Sequence, residues 1–229
     1  MLLEQPLGQL ATRIAGATAV FHQFKLDFCC GGQQSLGAAI AKRGLNQQEV
    51  LAALEKLQRQ PQPAVDWHSE PTAKLAEYVL NRFHQRHREQ LPELIRLARR
   101  VETVHSDSPH CPHGLANHLA EMQQELESHM LKEEQILFPM LVRGVYPYGP
   151  ISVMLEEHQE HGEALRKLDE LSFGQQLHPG ACNTWTALYL GLRELKEDLM
   201  QHILLENEIL FVEPKRPGHG DQHCCGSCQ

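Results

Sequence analysis

The sequence predicts an all-α protein in which a small helical domain precedes an antiparallel four-helix bundle. Three observations carry that expectation. Four long amphipathic segments lie near 72–104, 113–143, 150–173 and 180–212. They are separated by short turn-rich stretches such as HSDSPHCPHG and GVYPYGP, and short connections between long helices make neighbours antiparallel. Strand signals are absent after residue 71.

Residues 1–60 read as short helices broken by the CCGG turn at 29–32, with Asn46 as a cap for the segment QQEVLAALEKL. The stretch RQPQPAVDWHSEP holds three prolines and no helical period, which makes 61–71 a linker. The bundle then occupies 72–213, and 214–229 is a tail rich in Cys and His.

Composition excludes several functions. The chain of 229 residues has 21 basic and 29 acidic side chains, a net charge of −8, with the bases scattered rather than gathered into a stripe, so nucleic acid is not an expected partner. No stretch approaches the ~18 apolar residues of a membrane span, and the start MLLEQPLGQL has no cationic leader, so a soluble, cytoplasmic protein is expected. Seven cysteines, an odd number, suit reduced thiols or metal ligands better than a disulfide framework. No Ser-His-Asp or phosphate-loop pattern is present, and fifteen histidines point toward metal chemistry.

The second and fourth long segments carry the chemistry. Leu115, Leu119, Met122, Leu126, His129, Glu133, Ile136 and Met140 keep a spacing of four and three that lays them on one core-facing seam. Leu188, Leu192, Leu195, Leu199, His202, Glu206 and Ile209 repeat it, so His and Glu stand where a bundle wants Leu. A bare His-x-x-x-Glu is a weak signal, but here Ile-Leu-Phe follows, and an acid and a leucine precede, at matching offsets in HMLKEEQILF and HILLENEILF.

The other two long segments bear a second repeat, HQRHRE at 84–89 and HQEHGE at 158–163. His84 precedes His129 by 45 positions and His158 precedes His202 by 44, so the bundle reads as two similar hairpins, each with two His and one Glu. A His and a Glu at i,i+4 share a helix face and can meet one metal ion, and a carboxylate can bridge two. Buried carboxylates on an apolar seam are costly unless they meet a cation. Imidazole and carboxylate without thiolate suit iron or manganese, although ligand type alone leaves zinc and copper open; redox chemistry at bridged pairs favours iron.

These motifs resemble a known family. The paired HxxxE helices, RFHQRHREQLPELI, LEEHQEHGE and the N-terminal LDFCCGG look like the hemerythrin-like bacterial di-iron proteins for repair of iron centres, over about residues 5–212. The resemblance implies His84, His129, His158 and His202 as terminal ligands and Glu133 and Glu206 as bridges between two non-haem irons, with an oxo or hydroxo bridge. It further implies repair of iron-sulfur clusters damaged by nitrosative or oxidative stress. The partners would be damaged iron-sulfur proteins or cluster-assembly proteins. The alternative is reduction of nitric oxide to nitrous oxide at the same centre, or sensing of oxygen or nitric oxide. His87 and His161, three residues after two of these ligands, leave a fifth histidine ligand open.

Glu125, Glu157 and Asp198 read as outer hydrogen-bond acceptors or as polar lining of an access path. Cys29 and Cys30, in a Gly-rich break, read as a thiol pair that relays iron or a nitrosyl group. The tail sequence GHGDQHCCGSCQ departs from the family pattern; its Cys225-x-x-Cys228, with His223 and Cys224 beside it, suits a soft metal or is simply a tail. Oligomeric state is not legible.

Overall fold

The computed structural model describes residues 2–14, 16–28, 31–58 and 65–213. Cys29, Cys30, the first part of the linker and the tail lie outside the described residues, so the expectations placed on them have no structural counterpart here. Among the described residues the architecture is helical, and the only extended pairing is an isolated bridge between Pro6 and Ser35.

The small N-terminal unit comprises α1 (Leu7–Arg13), α2 (Ala17–Gln23), α3 (Leu36–Arg43) and α4 (Gln47–Gln58). Ser35 caps α3 by accepting from the Ala38 N–H at 3.3 Å, and Gly44, with φ 62, ends it in the left-handed conformation that glycine adopts without strain. Asn46 opens α4 as its residue type predicts, its Oδ1 accepting from Gln48 N–H at 3.0 Å.

Four rods form the bundle. The first is α5 (Thr72–Val79), a π-helical turn at Leu80–His84 and α6 (Gln85–Val104). The second is α7 (Leu115–Lys132), a π turn at Glu133–Leu137 and α8 (Phe138–Val142). The third is α9 (Tyr148–Leu171), and the fourth α10 (Asn183–Leu205) with a π turn at Glu206–Leu210. Leu115, Leu119, Leu126, Leu188, Leu192, Leu195 and Leu199 are all buried, as the seam requires. Ile136 is not: it is 52 % exposed, while Leu137 and Phe138 are buried. The π turn, closed by Phe138 N–H on Glu133 O, inserts one residue and advances the buried face, which a strict four-three spacing does not anticipate.

Two apolar cores result. One, near the chain entry to the bundle, gathers Leu75, Val79, Phe83, Leu137, Phe138, Ile151, Leu205 and Phe211. The other runs from Leu91 and Met130 to Trp185 and continues without a break into Leu7, Leu10, Phe21 and Leu36 of the small unit, which packs through α1 on α10. The small unit and the bundle thus share one apolar cluster. Along each rod the ligand positions fall between the two clusters, at the level where apolar packing is interrupted.

Candidate metal centre

Each long rod contributes to one buried polar cluster. His84, Glu133 and Glu206 each sit at an end of a π turn. An extra residue in a helical turn re-aims the side chains around it, and such bulges concentrate at functional sites. His84, His129, Glu133, His158, His202 and Glu206 are each at most 1 % exposed.

Two overlapping groups of donors form. One atom each from His84, Glu133, His202 and Glu206 lies within 4.8 Å of the others, and His129, Glu133, His158 and Glu206 do the same. Both glutamates belong to both groups. Glu133 Oε2 lies 3.4 Å from His84 Nε2 while its Oε1 lies 3.3 Å from His129 Nε2. Glu206 turns Oε1 to His202 Nε2 at 3.1 Å and Oε2 to His158 Nε2 at 3.2 Å. Each carboxylate thus addresses two imidazole pairs with separate oxygens. The Nε2 atoms of each pair approach closely as well, His84 to His202 at 3.1 Å and His129 to His158 at 3.2 Å.

The donor set fits divalent or trivalent cations. Both oxygens of Glu133 and Oε2 of Glu206 are buried without a hydrogen-bond donor, a cost that a cation removes. In the metal-free protein protons must serve instead. Burial opposes charge on His84 and His129, but Glu133 and Glu206 overcome it and lift both, His129 to about 9. Burial and the His84 imidazole hold His202 well below its ordinary value. The two raised imidazoles, His84 and His129, thus face the buried carboxylates. Burial and Glu206 push Glu133 upward, yet His129 and His84 keep its carboxyl below the usual range.

Outer contacts fix the imidazoles. His84 Nδ1 meets Glu134 Oε1 at 2.8 Å, and Glu134 is held by Arg88 at 2.9 Å, which itself grips Glu127 through two bonds. His158 Nδ1 meets Asn207 Oδ1 at 2.7 Å. His129 Nδ1 meets Glu157 Oε2 at 2.8 Å, and Glu157 pairs with Lys132. An acceptor at Nδ1 sets the tautomer that leaves Nε2 free for a metal. His202 Nδ1 has no such partner.

The repeat noticed in the sequence acquires a physical reason here. Glu134 and Asn207, each one position after the carboxylate shared by both groups, accept from the lone histidine of their own hairpin. Phe138 and Phe211, the last residues of the two Ile-Leu-Phe triplets, stack on those same histidines with ring centroids 5.8 and 5.7 Å apart.

Other expected residues fall differently. Glu125 is exposed: it precedes inward-facing Leu126 by one position, about 100° around the helix, and so turns to solvent. Asp198 is buried but engages Arg82 at 2.6 Å and Gln90 at 3.3 Å, a structural ion pair rather than an acceptor for a ligand histidine. Sequence reading missed Glu134 and Asn207, whose only signal was their common position in the repeat. His87 and His161 are buried beside the cluster, against His202 at 5.4 Å and His129 at 4.9 Å, but neither ring belongs to the two donor groups. Burial and the neighbouring His202 push His87 down to about 3, so it is neutral.

A four-helix bundle whose core holds paired His and shared Glu defines a helical cation-binding protein. Residues 75–213 match the Hemerythrin HHE cation binding domain, which binds iron, and residues 3–58 match ScdA_N, a domain of unknown function (DUF542). The chain is 51 % identical over 215 residues to the iron-sulfur cluster repair protein YtfE of Pectobacterium carotovorum subsp. carotovorum (strain PC1), covering 93 % of this chain and 97 % of that one. It is 48 % identical over 210 residues to the protein of the same name from Escherichia coli O17:K52:H18 (strain UMN026 / ExPEC), covering 91 % and 95 %. The chain belongs to this iron-sulfur cluster repair family.

Proposed function

We propose that this chain repairs iron-sulfur clusters damaged by nitrosative or oxidative stress by supplying iron, and that it carries that iron as a pair. His84 and His202 would hold one ion and His129 and His158 the other. Glu133 and Glu206 would be shared by both, and an oxo or hydroxo group would complete the centre. The observation that carries this reading is the division of labour within each carboxylate, one oxygen facing each imidazole pair. Bound iron supplies a redox-active pair and is itself the cargo delivered to a damaged iron-sulfur protein or a cluster-assembly protein.

The residues act by positioning and by proton balance. Glu134, Asn207 and Glu157 orient three imidazoles, and with His129 lifted to about 9 in the empty protein, an incoming ion would displace its proton, which would couple loading and release to proton transfer. No thiolate or chelating cofactor belongs to the donor groups, which suits an ion meant to leave. The strong identity to proteins named for cluster repair, across nearly the whole chain, supports the same assignment. No helix among the described residues is long and apolar enough to cross a membrane, in keeping with a cytoplasmic site of action.

Anaerobic metal analysis, followed by incubation with a nitric-oxide-damaged iron-sulfur enzyme and a ferrous chelator, tests the proposal. Two irons per chain and recovery of client cluster absorbance are expected. Sustained nitrous oxide formation with all iron retained and no client recovered would instead establish nitric oxide as a substrate and overturn the repair role.

A further inference from the structure

The seam between the small unit and the bundle holds a cleft that the metal centre does not use. Its volume is about 550 Å³, within the range of small-molecule sites, which favour such junctions. Lys25, Lys42 and Arg43 line it from the small unit, and Arg166, Arg193 and Lys196 from the bundle. Acids outnumber bases 29 to 21 over the chain, but here six bases meet only Asp27 and Asp169. The cleft therefore carries +4 and the remainder of the chain −12, to give the net −8.

Both acids are already committed. Asp169 pairs with Lys196 and accepts from Gln175 Nε2 at 3.0 Å, while Asp27 accepts from Gly31 N–H at 3.1 Å. On the bundle wall Arg193 donates to Gln175 O at 2.5 Å, and Arg166 lies 3.6 Å from exposed Glu163. Lys25, Lys42 and Arg43 have no ion pair among the described residues. Leu26, Leu165 and Met200, all buried, give the cleft an apolar floor. Each wall also holds a non-glycine residue in the left-handed region, Lys25 and Gln175, both with φ 54. Such conformations persist where surrounding packing fixes them, so the walls are built rather than loose.

We infer that this cleft binds a small organic polyanion: a molecule with two or more carboxylate or phosphate groups on an apolar body, held between the small unit and the bundle. Unpaired cations on one wall and arginines on the other call for at least two anionic groups, and the apolar floor calls for a body that inorganic ions lack. The acidic remainder of the chain repels long polyanions, which would have to run across it, and spares a molecule small enough to sit inside.

Titration calorimetry of the full, iron-loaded protein with ADP as the phosphate probe and isophthalate as the carboxylate probe tests this, at low and high salt. At least one probe should bind at one per chain, with Kd below ~1 mM at low salt and weaker binding at high salt. The arm that binds identifies the anion class. Lys42→Gln with Arg43→Gln, two exposed positions at the end of α3, should weaken it about tenfold or more, corresponding to two lost charge-assisted contacts, with iron content unchanged. Failure of both probes to bind, or equal affinity in the double variant, would overturn the site. Neither result bears on iron content or repair, so the two proposals stand or fall separately.

Discussion

Glu157 and Phe83 occupy equivalent places, each one residue before the lone histidine of its hairpin, and each reaches the second histidine of the opposite hairpin. Glu157 Oε2 lies 2.8 Å from His129 Nδ1. Phe83 lays its ring parallel to His202, centroids 5.4 Å apart with 3° between the planes. The duplicated bundle is thus asymmetric at its centre: one imidazole has a carboxylate partner, and its counterpart has an aromatic face and an unpartnered Nδ1.

Release of the two ions should follow that asymmetry. Outer hydrogen-bond partners strengthen a metal-bound imidazole, and their loss typically costs ten- to a hundredfold in affinity. On the His129/His158 side both rings have one, Glu157 and Asn207, whereas on the His84/His202 side only His84 does, in Glu134. A ferrous chelator should strip the His84/His202 side first and give two phases by stopped flow. Glu157→Ala should speed the slower phase roughly tenfold or more. One phase in the wild type, or an unaltered slow phase in the variant, contradicts the asymmetry.

Replacing either shared carboxylate tests the metal assignment directly. Glu133→Leu or Glu206→Leu fills an apolar seam but removes one partner from the buried carboxylate–imidazole cluster, a change that costs up to about 3–5 kcal/mol. Each variant should lose at least one iron by metal analysis, and its metal-free form should melt below metal-free wild type near pH 6.5, where the carboxylates hold His129 protonated. Retention of two irons in both variants would reject the bridging assignment.

The metal-free protein should be most stable near pH 6.5. His129 is lifted to about 9 in the folded state, so its contribution is fully present below its ordinary 6.5 and is lost as pH rises toward 9. A shift of that size corresponds to about 3 kcal/mol as an order of magnitude. His87, pushed down to about 3, acts oppositely: the unfolded chain takes up its proton more readily, so stability falls as pH drops below 6.5. Urea denaturation of metal-free protein at pH 5, 6.5 and 9 checks both limbs; a flat profile contradicts them.

The ion pair around Asp198 should matter for stability and not for iron. Arg82→Met leaves the buried carboxylate with Gln90 alone and should cost about 1–3 kcal/mol. Iron content should stay at the wild-type level, and Glu125→Ala should change neither quantity, because Glu125 faces solvent. Loss of iron from either variant would return these residues to the metal centre.

The sequence by itself determined the helical class, the four rods and the inward-facing His129, Glu133, His202 and Glu206, because a helix projects residues three and four apart onto one face and the duplication showed which polar positions share that face. The preference for His84 and His158 over His87 and His161 came from the family resemblance. Asn46 was legible for a similar reason: a cap acts on its own backbone neighbours. What only the tertiary structure decided depends on contacts between rods. Glu134, Asn207, Glu157 and Phe83 find their roles 28 to 119 positions along the chain, at His84, His158, His129 and His202. The π turns shifted Ile136 outward because they add a residue to the helical period. Likewise the basic cleft exists only because α3 comes to face α9 and α10, bringing together cations that are scattered in sequence. Periodicity encodes which way a side chain faces along its own helix; the docking of one helix on another decides what it meets there.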